Sequence, residues 1–144
     1  MSEQNFSNHA KFVPMFHFFL LPVLLINVLQ AALVLIKGPL NFKTVFALIF
    51  SIGLVVLAFL ARVFALGVQD RVIRLEERMR CERLLPADLK PRIEEFTIDQ
   101  LVSLRFASDA ELPALARRVL DGKVNDRKAI KQMIQSWRAD YQRV

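Results

Sequence analysis

The chain has 144 residues, 54% of them apolar and 24% charged, with a net charge of +6; that length admits one small soluble core beside a membrane segment, but not two independent globular cores. A single cysteine excludes an intrachain disulfide and any cysteine-cluster metal or iron–sulfur site, and two histidines leave a zinc site short of ligands. The basic excess is shared by the two halves of the chain rather than concentrated, so it is no nucleic-acid footprint.

The charges are segregated along the chain. Residues 12–69 contain only Lys37, Lys43 and Arg62, whereas 29 of the 34 charged residues lie in 70–144. Residues 1–11 form a short N-terminal segment, expected to be cytoplasmic. From Phe12 to Ile36 there is no charge, and a helix of that length spans about 37 Å, enough for a hydrocarbon core of about 30 Å with some tilt. The run is too long for the core of a cleaved signal peptide. Lys37-Gly38-Pro39-Leu40-Asn41 joins a charge to helix breakers and reads as a turn. A second uncharged run from Thr44 to Ala61 resumes after Arg62 and continues to Gln69. The fold class expected is therefore all-α: a two-helix transmembrane hairpin over residues 12–69, with helices at about 13–36 and 44–69.

Within the hairpin, His17, Asn27 and Gln30 interrupt the first apolar run, and His17 and Asn27 fall near one face. Ala47, Ser51 and Ala58 supply small residues on the second helix that allow close backbone approach. Folding the chain about its turn brings Asn27 level with Ser51, where an interhelical hydrogen bond spares the amide its cost in hydrocarbon. His17 has two readings: an axial ligand to a haem iron or a chlorophyll magnesium, or an interfacial imidazole bonded to water or a neighbour. The fold also places it near Arg62, which can snorkel to the headgroups. No intrinsic cofactor is expected, and a bound lipid or pigment would belong to a complex.

No turn residue interrupts the chain from Thr44 to Leu85, so the second helix is expected to continue past the bilayer through residues 70–85, for about 60 Å in all. Arg71, Arg74 and Arg78 follow the membrane closely and serve, with Arg62, as interface anchors; by the positive-inside rule they put both termini in the cytoplasm. Val68, Val72, Leu75 and Met79 alternate spacings of three and four, the seam of a coiled coil or helix-packing face. Asp70 with Arg74, Glu76 with Arg80 and Arg78 with Glu82 stand at i,i+4. Cys81 falls on the polar side of this helix, where palmitoylation is one reading.

Residues 86–144 read as a small helical cytoplasmic domain. Pro86 to Pro91 forms a turn before a short helix. Thr97 with Gln100 opens a helix to about Phe106, Ser108 with Glu111 opens another to Asp121 with Gly122 after it, and Asn125 caps a third to about Trp137. Three short helices with a basic last member also fit a helix-turn-helix, but Lys128, Lys131 and Arg138 make no concentrated basic face, and no nucleic-acid partner is expected. Neither a P-loop nor a dinucleotide turn, nucleophile elbow or metalloprotease motif is present, so the expectation is a protein that is not an enzyme.

Asn8-His9, Phe12-Val13-Pro14, His17, Val68-Gln69-Asp70-Arg71 and Ile73 to Arg78 come first along the chain. Leu101, Leu104 to Asp109, Glu111-Leu112-Pro113, Asp126-Arg127, Ile130-Lys131, Trp137-Arg138 and Asp140-Tyr141 follow. Together these stretches resemble an uncharacterised family, a domain of unknown function, of small bacterial membrane proteins with two N-terminal crossings and a helical tail. The resemblance implies that topology in the bacterial inner membrane, and no activity. The leading expectation is an accessory or scaffolding subunit of a larger inner-membrane complex, respiratory or photosynthetic, bound to membrane lipids and a membrane-protein partner. The alternatives are a self-associating anchor that recruits a soluble partner or contacts anionic lipid, and an oligomeric pore or transporter component.

Overall fold

The computed structural model describes residues 4–6 and 12–141. Of the N-terminal segment 1–11, only residues 4–6 are therefore described, and Asn8-His9 lies outside the described residues. The described residues are helical with no strand; one isolated antiparallel bridge joins Ala107 and Trp137. A π-helical turn, Met15–Leu20, leads into α1, Leu21–Lys37; then come α2, Phe42–Leu84, a 3-10 turn, Lys90–Glu95, and the short helices α3, Ile98–Leu104, α4, Leu112–Asp121, and α5, Arg127–Gln132. The first two helical stretches, Met15–Lys37 and Phe42–Leu84, are each long and apolar enough to cross a membrane. The chain divides into two compact units, one of Lys11–Leu66 and one of Met1–Ala10 with Gly67–Val144.

In the first unit the widened turn before α1 has a local cause. Pro22 has no N–H, so the Phe18 carbonyl loses its usual donor and the ring crowds it. The preceding turn opens, and Leu21 N–H reaches back to the Phe16 oxygen. At the other end Gly38 N–H donates to the Val34 carbonyl at 2.9 Å, and a Cβ on Gly38 would stand 2.7 Å from that same oxygen. A side chain there would push the turn apart. Asn41 then caps α2 reciprocally: its Oδ1 accepts from Thr44 N–H at 3.1 Å, and its own N–H donates to Thr44 Oγ1 at 3.2 Å.

The second unit has a core of Cys81, Leu85, Leu89, Ile93, Phe96, Leu101, Leu104, Phe106, Leu112, Leu115, Val119 and Ile130, all buried. The C-terminal end of α2 supplies one wall through Ile73, Cys81 and Leu85. The sequence places Cys81 on the polar side, and the structure corrects this: the thiol is fully enclosed, because the tail helices pack on that face. Leu115, Ala116, Val119 and Leu120 turn the apolar side of α4 inward. At the chain's ends Asp140 N–H donates to Gln4 Oε1 at 2.8 Å, so residues near both termini join the same unit.

The capping signals are met unevenly. Thr97 and Gln100 form a full capping box on α3. Ser108 Oγ accepts from Glu111 N–H at 3.3 Å, but the Glu111 carboxylate turns away and takes the N–H groups of Gln135 and Ser136, both at 2.9 Å. Asp126, not Asn125, caps α5 through Ala129 N–H, and Asn125 Oδ1 instead accepts from the Gln100 amide at 3.0 Å. That helix stops at Gln132, short of Trp137, whose segment pairs with Ala107.

The stop after α4 likewise differs from the sequence reading. Val124 N–H bonds the Val119 carbonyl and Lys123 N–H the Leu120 carbonyl, a Schellman motif in which Lys123, with φ of 48°, holds the left-handed position that glycine prefers. Replacing Lys123 with glycine relieves that strain and is expected to stabilise the unit by about 0.5–1 kcal/mol. A urea titration followed by the fluorescence of Trp137 checks this, and an unmoved midpoint would count against strain at Lys123.

Candidate functional site

The most enclosed polar cluster lies where α2 meets the loop between α3 and α4. Glu77 and Arg80 stand one turn apart on α2, both about 5% exposed or less. Every nitrogen of the Arg80 guanidinium is used: Nη1 donates to Glu77 Oε2 at 3.0 Å, Nη2 to the Ala107 carbonyl at 2.7 Å, and Nε to Asp109 Oδ1 at 2.8 Å. Arg138 Nη1 approaches the other Glu77 oxygen at 3.7 Å. The cluster thus ties α2 to two separate segments of the tail.

Burial pushes the Glu77 carboxyl above its ordinary value of 4.5, against the opposing pull of Arg80. Asp109, at the exposed end, is held below its usual range by its hydrogen bond from Arg80. The neighbouring Cys81 thiol is pushed up to about 11, by burial first and the Glu77 charge second, so it stays protonated and is a poor nucleophile. With its nitrogens engaged and its carboxylate sealed from solvent, the Glu77–Arg80 pair acts as a clasp.

Two other charges of the α2 extension, Asp70 and Arg78, reach across the unit instead of along the helix. Asp70 pairs with Arg127 at 3.0 Å and Arg78 with Glu94 at 2.9 Å, so the i,i+4 partners read from the sequence are displaced. An exposed i,i+4 pair contributes only a few tenths of a kcal/mol, so tail docking readily outcompetes it. Arg71 is exposed and Arg74 half-buried, and neither forms an ion pair among the described residues. Of the four arginines read as interface anchors, Arg78 is therefore engaged within the tail, whereas Arg62 stands over the Phe16 ring at 5.9 Å.

Val68, Val72, Leu75 and Met79 are not the face that receives the tail. All four are exposed, Leu75 at 61% and Met79 at 66%, on the side of α2 opposite Ile73, Glu77, Arg80 and Cys81. The sequence pairs Arg80 with Glu76 along the helix, and the structure turns it to Glu77 instead. The signal that could have found the Glu77–Arg80 pair is its alignment with Ile73, Cys81 and Leu85, a second apolar stripe on the same helix.

In the first unit, Asn27 Nδ2 donates to Ser51 Oγ at 3.1 Å, and Ser51 Oγ donates to the Ala47 carbonyl at 2.7 Å. Ala58 is half-buried. His17 Nδ1 lies 3.2 Å from the Val13 N–H and 2.9 Å from the Val13 carbonyl, so it accepts from the first in one tautomer and donates to the second in the other. His17 packs edge-on against Phe12 and Phe16, and Phe16 rather than His17 meets Arg62. An open groove of about 380 Å³ runs along α1, lined by Ile26, Leu29, Gln30, Leu33, Val34 and Lys37. No group of three or more His, Cys, Asp or Glu among the described residues is placed to hold a metal ion.

Compared with known families, residues 1–144 match the one described as "Family of unknown function (DUF6526)". No curated protein and no solved structure matches the chain.

Proposed function

The chain belongs to this family of unknown function, and on that footing we propose that it is a non-enzymatic membrane anchor. In this reading residues 12–69 insert as a hairpin in a bacterial inner membrane, and the second unit stands at the cytoplasmic face as a scaffold for a larger membrane complex. The observation that carries it is the inverted surface of the first unit. From residue 15 to 66 only Ser51 is buried, while Phe18, Ile36 and Phe42 are each more than 70% exposed. Fully burying one such side chain is worth about 1.5–3 kcal/mol, so a surface made of them in water would be far more costly than in lipid.

Two further features support the hairpin. Both apolar helices lie between Gln4 and Asp140, which bond to each other, so two crossings return the chain to its starting side. Arg71, Arg74, Arg78, Arg80 and Arg83 outnumber Lys37 and Lys43 at the turn, which favours a cytoplasmic tail.

The test is carbonate extraction of vesicles together with labelling of Leu40→Cys, an exposed turn position, by a membrane-impermeant maleimide added to intact spheroplasts. The reading expects a carbonate-resistant chain labelled from outside. Release into the carbonate wash, or labelling only after permeabilisation, overturns it.

A further inference from the structure

We propose that two copies of this chain pair in parallel along the exposed stripe Val68, Val72, Leu75 and Met79 of α2, with Arg71 of each copy facing Glu76 of the other. The inference rests on the insertion reading above, because two copies in one membrane share an orientation and their α2 helices must run parallel.

The stripe has the form of a coiled-coil seam. Val72 and Met79 fall at one core position of the heptad and Val68 and Leu75 at the other, and the central pair, β-branched Val72 with Leu75, is the combination that favours two strands. All four side chains are exposed, between 49% and 66%, and the tail occupies the opposite face, so a second helix meets no obstruction within the unit. Val68 lies at the end of the inserted hairpin, but Val72, Leu75 and Met79 stand beyond it in heptad register on one face, and unlike isolated exposed apolar residues they call for an explanation.

Charge identifies the occupant as a second copy. In a parallel pair the residue just before one core position faces, across the seam, the residue five places later in its partner. Here those are Arg71 and Glu76, opposite in sign, both exposed, and in no ion pair among the described residues. Two-fold symmetry makes the contact twice. One heptad further on the same positions hold Arg78 and Arg83, and Glu82 takes the core position. Arg78 is already held by Glu94, and the seam ends after Met79. So short a seam needs the local concentration that a shared membrane supplies.

The test is oxidative crosslinking of Leu75→Cys in membrane vesicles. The unsubstituted chain, whose only thiol is the enclosed Cys81, is the control. A disulfide-linked species at twice the 16.6 kDa chain mass is expected from Leu75→Cys and not from the control or from Lys90→Cys on the tail. Adding Arg71→Glu should lower the crosslinked fraction roughly three- to tenfold, and adding Glu76→Arg as well should restore it. A chain that stays in carbonate-washed membranes yet gives no dimer, or gives an adduct of another mass, or is not rescued by the charge exchange, overturns the pairing alone. Loss of the chain to the carbonate wash overturns the anchor and the pairing together.

Discussion

Replacing Arg80 with alanine is expected to destabilise the tail unit by about 3–5 kcal/mol, the range for removing one member of a buried ion pair. The Arg80 side chain is 4% exposed and serves three acceptors. Its loss leaves the Glu77 carboxylate buried with only Arg138 at 3.7 Å, and leaves the Ala107 carbonyl without its Arg80 donor in a residue with no exposed surface. The double variant Glu77→Leu with Arg80→Met removes the stranded charge and should recover much of the loss, though not the part owed to Ala107, about 1–3 kcal/mol for an unsatisfied buried acceptor. Urea unfolding of the detergent-solubilised chain, read through Trp137, measures all three proteins. If Arg80→Ala costs no more than a surface substitution, about 0.5 kcal/mol, the clasp is not what fastens the tail to α2.

Phe106→Ala is expected to cost a similar 3–5 kcal/mol. Phe106 has no exposed surface, and its ring lies 5.0 Å from that of Trp137, centroid to centroid, with Arg105 Cζ at 4.6 Å and Lys131 Nζ at 5.4 Å. The ring joins the end of α3 to the C-terminal segment, a junction its own backbone reinforces by accepting the Arg138 N–H at 2.7 Å. Truncation removes core volume and the aromatic contact together, while Phe106→Leu keeps most of the volume and should cost clearly less. Because Trp137 is the neighbour lost, far-ultraviolet circular dichroism is the better probe here. Equal stability of the leucine and alanine variants would mean that the cavity is not the dominant cost.

The legible and illegible parts of the chain divide at recognisable residues. Thr97 and Gln100 form their box because both partners lie within one turn, and the distant Val124 and Asn125 oxygens take only the Gln100 Nε2, which leaves its Oε1 for the Thr97 N–H. Glu111 sits in an equally good pattern, yet its carboxylate serves Gln135 and Ser136, which the sequence does not bring near it. Asn125 gives up the cap of α5 to Asp126 in the same way, once Gln100 claims its side chain. The candidate clasp was missed for a related reason: Glu77 and Arg80 look like the charged face of an exposed helix until Asp109 and the Ala107 carbonyl close over them.

The sequence by itself determined a helical chain with two long apolar stretches, the turn between them and most helix starts. Hydropathy and helix breakers act over a few residues, and caps do so too wherever no distant group claims the capping side chain. Only the tertiary structure decided which side of α2 is buried. The extension of that helix carries two apolar stripes on opposite faces, Ile73, Cys81 and Leu85 on one and Val68, Val72, Leu75 and Met79 on the other. Helical periodicity weights both alike. The tail chose the first because Arg80 stands beside it and finds partners in the loop after Phe106, while Glu77 is held by Arg80 and approached by Arg138, so both charges are matched as that face is buried and the second stripe stays outside.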